Sequence, residues 1–246
     1  MRYALVSDIH ANLPALRAVL DDIDRRSVDA IYHLGDLTGY APWPNETVSL
    51  LRERGIQGIA GNYDSTIATD YKHCGCRSEN PRQEELSHVS YSWTRAHVTP
   101  ETKSHLASLP FRLDIRPLGG HSTGPTVTLV HGSHSLNTVY VTRDRDDAFL
   151  EKMGKGVGAS SGDTICFGHT HIPWHRIVAG IHFVNTGSVG RPKDGDWRAG
   201  YALLSIDGPQ TGVEFIRVEY DVDEAVKGIR ESGLPGEFAD QLRDSR

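Results

Sequence analysis

RYALVSDIH, residues 2–10, decides how the rest of the chain reads. Residues 2–7 form a short, mostly apolar run that ends in a polar loop. Such a run reads as a buried strand that hands its last residues to the carboxyl edge of a sheet. Beyond it, Leu13, Leu16, Val19, Leu20 and Ile23 recur at helical spacing, with Pro14 where a first helical turn tolerates proline. The unit repeats, with a strand over 30–34, a helix over 44–54 and a strand over 56–60. Strand, helix, strand, helix, strand predicts parallel pairing through right-handed crossovers, hence an α/β fold.

Outward from this half the pattern changes. Residues 65–109 are polar and helix-leaning, with Thr99-Pro100-Glu101 as a helix start and Leu106 and Leu109 as anchors, and read as a helical insertion. From residue 110 short strands follow, near 111–116, 126–131, 164–168, 174–178, 181–185, 200–206 and 212–219, separated by Gly and Pro turns. Short connections among the later ones predict antiparallel hairpins. Amphipathic helices over 222–231 and 235–243 close the chain. With no repeat, linker or low-complexity tract, one domain over 1–246 is expected.

The 246 residues carry a formal charge of −6. No basic footprint for duplex nucleic acid is present, so a small substrate is the expected partner, with a homo-oligomer left open. No stretch reaches the roughly 20 apolar residues that span a bilayer, and the first residues lack a secretory apolar region, so a cytoplasmic protein is expected. Three cysteines, Cys74, Cys76 and Cys166, suit a reducing compartment better than a disulfide framework. Histidine, at 13 residues, is the compositional hint of metal chemistry.

Five loop motifs carry that hint: Asp8-Ile9-His10, Gly35-Asp36, Gly61-Asn62-Tyr63-Asp64, His131-Gly132 and Gly168-His169-Thr170-His171. Each follows an expected strand or lies at its end, where open α/β folds place their sites. Mixed imidazole and carboxylate donors suit Mn, Fe, Zn, Co or Ni rather than Ca or Mg. His33, His121, His175 and His182 read as ordinary strand histidines, and His73, His88, His97 and His105 as surface or packing residues of the insertion. His73-Cys74-Gly75-Cys76 falls short of the two separated pairs that a structural zinc commonly uses.

A chain with these motifs in this order resembles the calcineurin-like metallophosphoesterase superfamily, and within it the small bacterial and archaeal phosphodiesterase branch. The resemblance runs from Asp8 to the stretch Asn185-Thr186-Gly187-Ser188-Val189-Gly190. It implies a four-layer α/β/β/α sandwich of mixed sheets and two divalent transition metal ions, manganese foremost. Asp8, His10 and His171 would bind the first metal, Asn62, His131 and His169 the second, and Asp36 would bridge both. The implied reaction is hydrolysis of a phosphodiester or nucleotide by attack of a metal-bridging hydroxide on phosphorus. A phosphomonoesterase, a protein phosphatase and a non-catalytic metal-binding scaffold are the alternatives. Much of the superfamily carries His after the third-motif Asn, where this chain has Tyr63. Tyr63 and His134 are therefore the candidates to assist the leaving group, counted as catalytic with Asp36 and Asn62, and Asn12, Asn62, Arg191 and Lys193 are the candidates to touch substrate. Asp64 would orient a neighbouring loop or cap a turn.

Overall fold

The strand Arg2–Val6 (β1) alternates its side chains between two apolar surroundings, and this alternation sets the layers. Ala4 and Val6 pack with Leu16, Val19, Leu20 and Ile23 of the helix Leu13–Asp24 (α1). Tyr3 and Leu5 face the other way, against Leu129, Cys166 and Val184 of a second sheet. The structure is a computed structural model that describes residues 1–76, 80–116 and 124–245; His121 lies outside them.

After α1 come Ala30–His33 (β2), Pro44–Glu53 (α2) and the two-residue strand Gln57–Gly58 (β3). β1 pairs parallel with β2 and β2 parallel with β3, as the alternating pattern predicts. Three helices occupy the segment read as an insertion: Asn62–Ala68 (α3), Pro81–His97 (α4) and Pro100–Ser108 (α5). Asn80 and Thr99 cap the last two by accepting from the backbone N–H groups of Gln83 and Thr102.

The second half holds Arg112–Ile115 (β4), Val127–Val130 (β5), Asp147–Val157 (α6), Thr164–Phe167 (β6), Trp174–Val178 (β7) and Ile181–Asn185 (β8). Ala199–Asp207 (β9), Gln210–Val218 (β10), Val222–Glu231 (α7) and Glu237–Asp244 (α8) complete the chain. The hairpins β7–β8 and β9–β10 are antiparallel, as their short connections predict. β9 and β10 nevertheless leave their neighbours and join the first sheet beside β1, giving the orders β10-β9-β1-β2-β3 and β4-β5-β6-β8-β7. Both sheets are mixed.

The resemblance implies a fourth layer, but the helix that forms it was not read from the residues. α6 buries Leu150, Met153, Gly154 and Val157 and covers the outer face of the second sheet, against Ile165, Phe167, Ile181 and Phe183. Its apolar spacing is helical, but Gly154 and Gly156 lower the intrinsic preference for a helix. Gly154 is there for contact: a Cβ on it would stand 2.8 Å from Cδ1 of Ile181. The outer face of the first sheet is covered by α1 and by α7, whose Ala225, Val226 and Ile229 join the same core. Among the described residues no helix is long and apolar enough to cross a membrane.

Candidate metal centre

β1, β2 and β3 run parallel in one sheet and β5, β6 and β8 in the other. Asp8 and His10 follow β1, Asp36 follows β2, and Asn62 opens α3 just past β3. His131 comes directly after β5, and His169 and His171 follow β6. All seven expected ligands are buried.

Six of them gather in two groups, Asp8 with His10 and His171, and Asp36 with His131 and His169. The Asp8 Oδ1 atom lies 3.3 Å from His171 Nε2 and 3.8 Å from His10 Nε2. Asp36 Oδ2 stands 3.5 Å from His131 Nε2 and 3.8 Å from His10 Nε2, so this one carboxylate oxygen reaches both groups. Asn62 Oδ1 is 3.2 Å from His131 Nε2, and the Asn62 amide nitrogen donates to the Cys74 carbonyl.

The backbone is bent to achieve this. Asp8, His10, Asp36, His169 and His171 all have φ between 49° and 66°, a region that L residues other than Asn, Asp and His seldom occupy. Hydrogen bonds hold the bends: the Asp8 N–H donates to the Gly35 carbonyl, that of His10 to Asp36, and that of His169 to Asp8 Oδ2. Two glycines allow close approach. A Cβ on Gly61 would meet Asp36 Oδ1 at 2.1 Å, and one on Gly168 would meet Ser7 Oγ at 2.1 Å and Asp8 Oδ2 at 2.4 Å. Asp64 ties two loops together, accepting from the backbone N–H groups of Leu37 and Gly61, which meets both roles expected of it.

Three imidazoles are oriented from behind. His10 Nδ1 faces the Thr38 carbonyl at 3.0 Å, His131 Nδ1 the Leu34 carbonyl at 2.7 Å, and His171 Nδ1 the Arg191 carbonyl at 2.6 Å. A carbonyl only accepts, so each Nδ1 carries a proton, and in the neutral ring it is Nε2 that presents a lone pair to the centre. His10 Nε2 and His171 Nε2 then face each other at 3.1 Å as two acceptors. A cation between them removes that repulsion. Asp8 Oδ1 and His169 Nε2 are buried without any hydrogen-bond partner, which is the same request for a cation. Burial alone lowers His131, but the adjacent Asp36 carboxylate lifts it to about 10. Burial holds His10 and His169 down at about 3. Imidazole and carboxylate donors in this number fit divalent metal ions.

The other expected site residues lie differently. Tyr63 is fully buried, its hydroxyl donates to Ser90 on α4, and burial pushes its pKa well above 10, with Tyr40 adding to the effect. Its ring packs edge-on to His10 and its backbone N–H donates to Asp36 Oδ1, so it supports ligands instead of meeting a leaving group. The His134 ring rests on Gly156 of α6, where a Cβ would stand 2.2 Å from its Cδ2, and this contact faces the outer helical layer. Asn12 is spent on structure. Its Oδ1 caps α1 by accepting from Ala15, and its Nδ2 donates to the Gly190 carbonyl and the Tyr220 hydroxyl, so both amide atoms serve the fold. Cys74 and Cys76 are joined by a disulfide, against the expectation of reduced thiols. Among the described residues no third metal-ligating group accompanies His73.

Sequence reading missed the carbonyls of Leu34, Thr38 and Arg191, which carry no side-chain signal. It also missed Tyr40, whose ring stands edge-on to His10 at 4.9 Å, and Tyr140, which lies 4.1 Å from His169 between ring centroids.

A sandwich of two mixed sheets with Asp, Asn and His converging from both is the architecture of a metal-dependent phosphoester hydrolase. The chain belongs to the calcineurin-like phosphoesterase superfamily, whose domain profile matches residues 1–208. It is 31% identical to an uncharacterised protein of Methanocaldococcus jannaschii over 97% of this chain and 96% of that one. A crystal structure of a metallophosphoesterase from Sphaerobacter thermophilus shares 31% identity, covers 100% of both chains and superimposes with a TM-score of 0.77. A hypothetical protein from Pyrococcus horikoshii OT3, at 23% identity, has the same fold with a TM-score of 0.83 over 100% of this chain and 98% of that one.

Proposed function

We propose that the protein hydrolyses a small phosphodiester or a nucleotide phosphate with two divalent transition metal ions, manganese foremost. The observation that carries this reading is the reach of Asp36, whose Oδ2 stands within 3.8 Å of the Nε2 atoms of both His10 and His131. Only an anionic group can offset two dications at once. Tyr63 N–H holds the other oxygen of Asp36, which fixes the carboxylate in the orientation a bridge needs. Asp8, His10 and His171 would hold one ion, and Asn62, His131 and His169 the other. Ions so held supply a nucleophile near neutral pH and polarise the phosphoryl group. The carbonyls behind His10, His131 and His171 hold the proton of the neutral ring on Nδ1 and turn Nε2 towards the ion.

The test is elemental analysis of the purified protein after reconstitution with Mn, combined with turnover of bis(4-nitrophenyl) phosphate and of 4-nitrophenyl phosphate. Close to two ions per chain and faster diester turnover, both abolished by chelation, are expected. Asp36→Asn should lower metal content and rate together. An Asp36→Asn protein that keeps two ions and near-normal turnover would remove the bridge from the account, and a metal-free protein after reconstitution would remove the centre.

A further inference from the structure

Arg191 sits beside the centre in a condition that calls for an anion. Its residue exposure is 6%, yet among the described residues no carboxylate pairs with its guanidinium. The contacts it does make are neutral. The guanidinium carbon lies 4.3 Å over the Tyr40 ring and 6.0 Å from that of Phe238, and one terminal nitrogen donates to Gln241 Oε1 on α8. Its Nε is buried with no hydrogen-bond partner. A buried cation without a counter-anion is costly, and a missing partner of opposite charge is the simplest explanation for one kept in place.

The position narrows the anion's identity. The Arg191 carbonyl receives the proton of His171 Nδ1, so the residue is fastened directly behind a metal ligand. Its side chain lines a cleft together with Lys193, Gln83, Gln241, Tyr40 and Tyr140. Among the described residues no acidic side chain lines the cleft, and an adjoining cavity runs from Arg191 and Tyr40 to His10. Two dications set against Asp8 and Asp36 would leave the centre positive, and Arg191 and Lys193 add to that charge. A simple diester, with one negative charge, does not use this surplus.

We infer that Arg191 and Gln241 form a second phosphate subsite beside the metal centre, so that the preferred substrate carries two phosphoryl groups, one at the metals and one at Arg191. The incoming phosphate would take the guanidinium's Nε and terminal nitrogen as a fork, displacing Gln241 from the latter. Arg191 lies within residues 1–208 and Gln241 on α8 beyond them, so the subsite joins the matched family domain to a helix outside it. The inference rests on the reading of the centre as a phosphate-ester site.

Calorimetric titration of the Mn-loaded protein with three ligands tests it: adenosine 5′-monophosphate, adenosine 5′-diphosphate and adenosine 3′,5′-bisphosphate. The nucleoside is common to all three, so it cancels. At least one bisphosphorylated ligand should bind tenfold or more tightly than the monophosphate. The 5′-diphosphate gaining points to an anhydride-linked pair, and the 3′,5′-bisphosphate gaining points to phosphates on separate carbons. Arg191→Gln should bring that ratio to within about threefold, whereas Arg191→Lys, which keeps the charge, should retain most of it. The ratio is internal to each variant, and bound metal is measured alongside. Equal affinity of all three ligands for the wild type would overturn the subsite while leaving the metal centre standing. A ratio unchanged in Arg191→Gln would overturn it as well. No binding of the monophosphate, together with no diester turnover, would overturn the phosphate-ester reading and the subsite with it.

Discussion

Single atoms decide whether this centre forms. Gly168 shows it most directly, since a methyl group there would press within 2.4 Å of Asp8 Oδ2 and within 2.1 Å of Ser7 Oγ. Ser7 donates to that same carboxylate oxygen, so the substitution strikes the ligand and its support together. Gly168→Ala is therefore expected to lower bound metal well below that of wild type while the protein still folds, as read by elemental analysis beside far-UV circular dichroism. A Gly168→Ala protein with full metal content would show that the Asp8 loop can yield. Tyr63 gives the opposite case. Its phenol is fully buried and bonded to Ser90, so Tyr63→Phe removes one buried hydrogen bond and should cost about 1 kcal/mol of stability. Turnover of aryl diesters should stay within about threefold of wild type. With no strong general acid assigned, alkyl diesters should react far more slowly than nitrophenyl ones. Loss of aryl turnover in Tyr63→Phe with metal retained would make the phenol a catalytic group after all.

At the level of elements, α6 is the part whose role the local pattern understates. Its side chains Leu150 and Met153 are fully buried against the outer face of the second sheet, the sheet that delivers His131, His169 and His171. Met153→Ala should cost about 2–5 kcal/mol, the usual range for emptying a buried Met site, seen as a lower urea midpoint at unchanged slope. A shift under about 0.5 kcal/mol would mean that the helix is only loosely docked. Of the helix starts, the one at Thr99 was read from the sequence. Asn12, Asn80, Thr99, Asp146 and Asp221 each accept a backbone N–H at the start of their helix, where side chains of this type are favoured.

Across the whole molecule the two sheets meet at the centre. The first supplies Asp8, His10, Asp36 and Asn62, and the second His131, His169 and His171, so bound ions would cross-link the layers that the inter-sheet core holds together. A ligand that binds only the folded state adds about 2.7 kcal/mol at a hundred times its dissociation constant. Chelation should therefore lower the melting temperature by several degrees, and Mn should restore it; Asp36→Asn should show a smaller chelation effect. An identical melting curve with and without chelator would mean that the ions contribute nothing to the fold.

Much of this could be read from the chain alone. The parallel order of β1, β2 and β3, both later hairpins and the loop position of each ligand follow from periods of two and 3.6 residues and from Gly-bounded turns, all of which are local. Tertiary structure decided the rest. β9 joins β1 across about 200 residues of sequence separation, α6 forms over the second sheet although its glycines lower the preference for a helix, and Asn12 straps α1 onto Gly190. Tyr63 is drawn under His10 into the helices, and Arg191 is buried without a carboxylate beneath a helix that begins some 45 residues later. Periodicity shows that a side chain will be buried; which partner waits for it depends on the packing of distant segments, and no local pattern carries that.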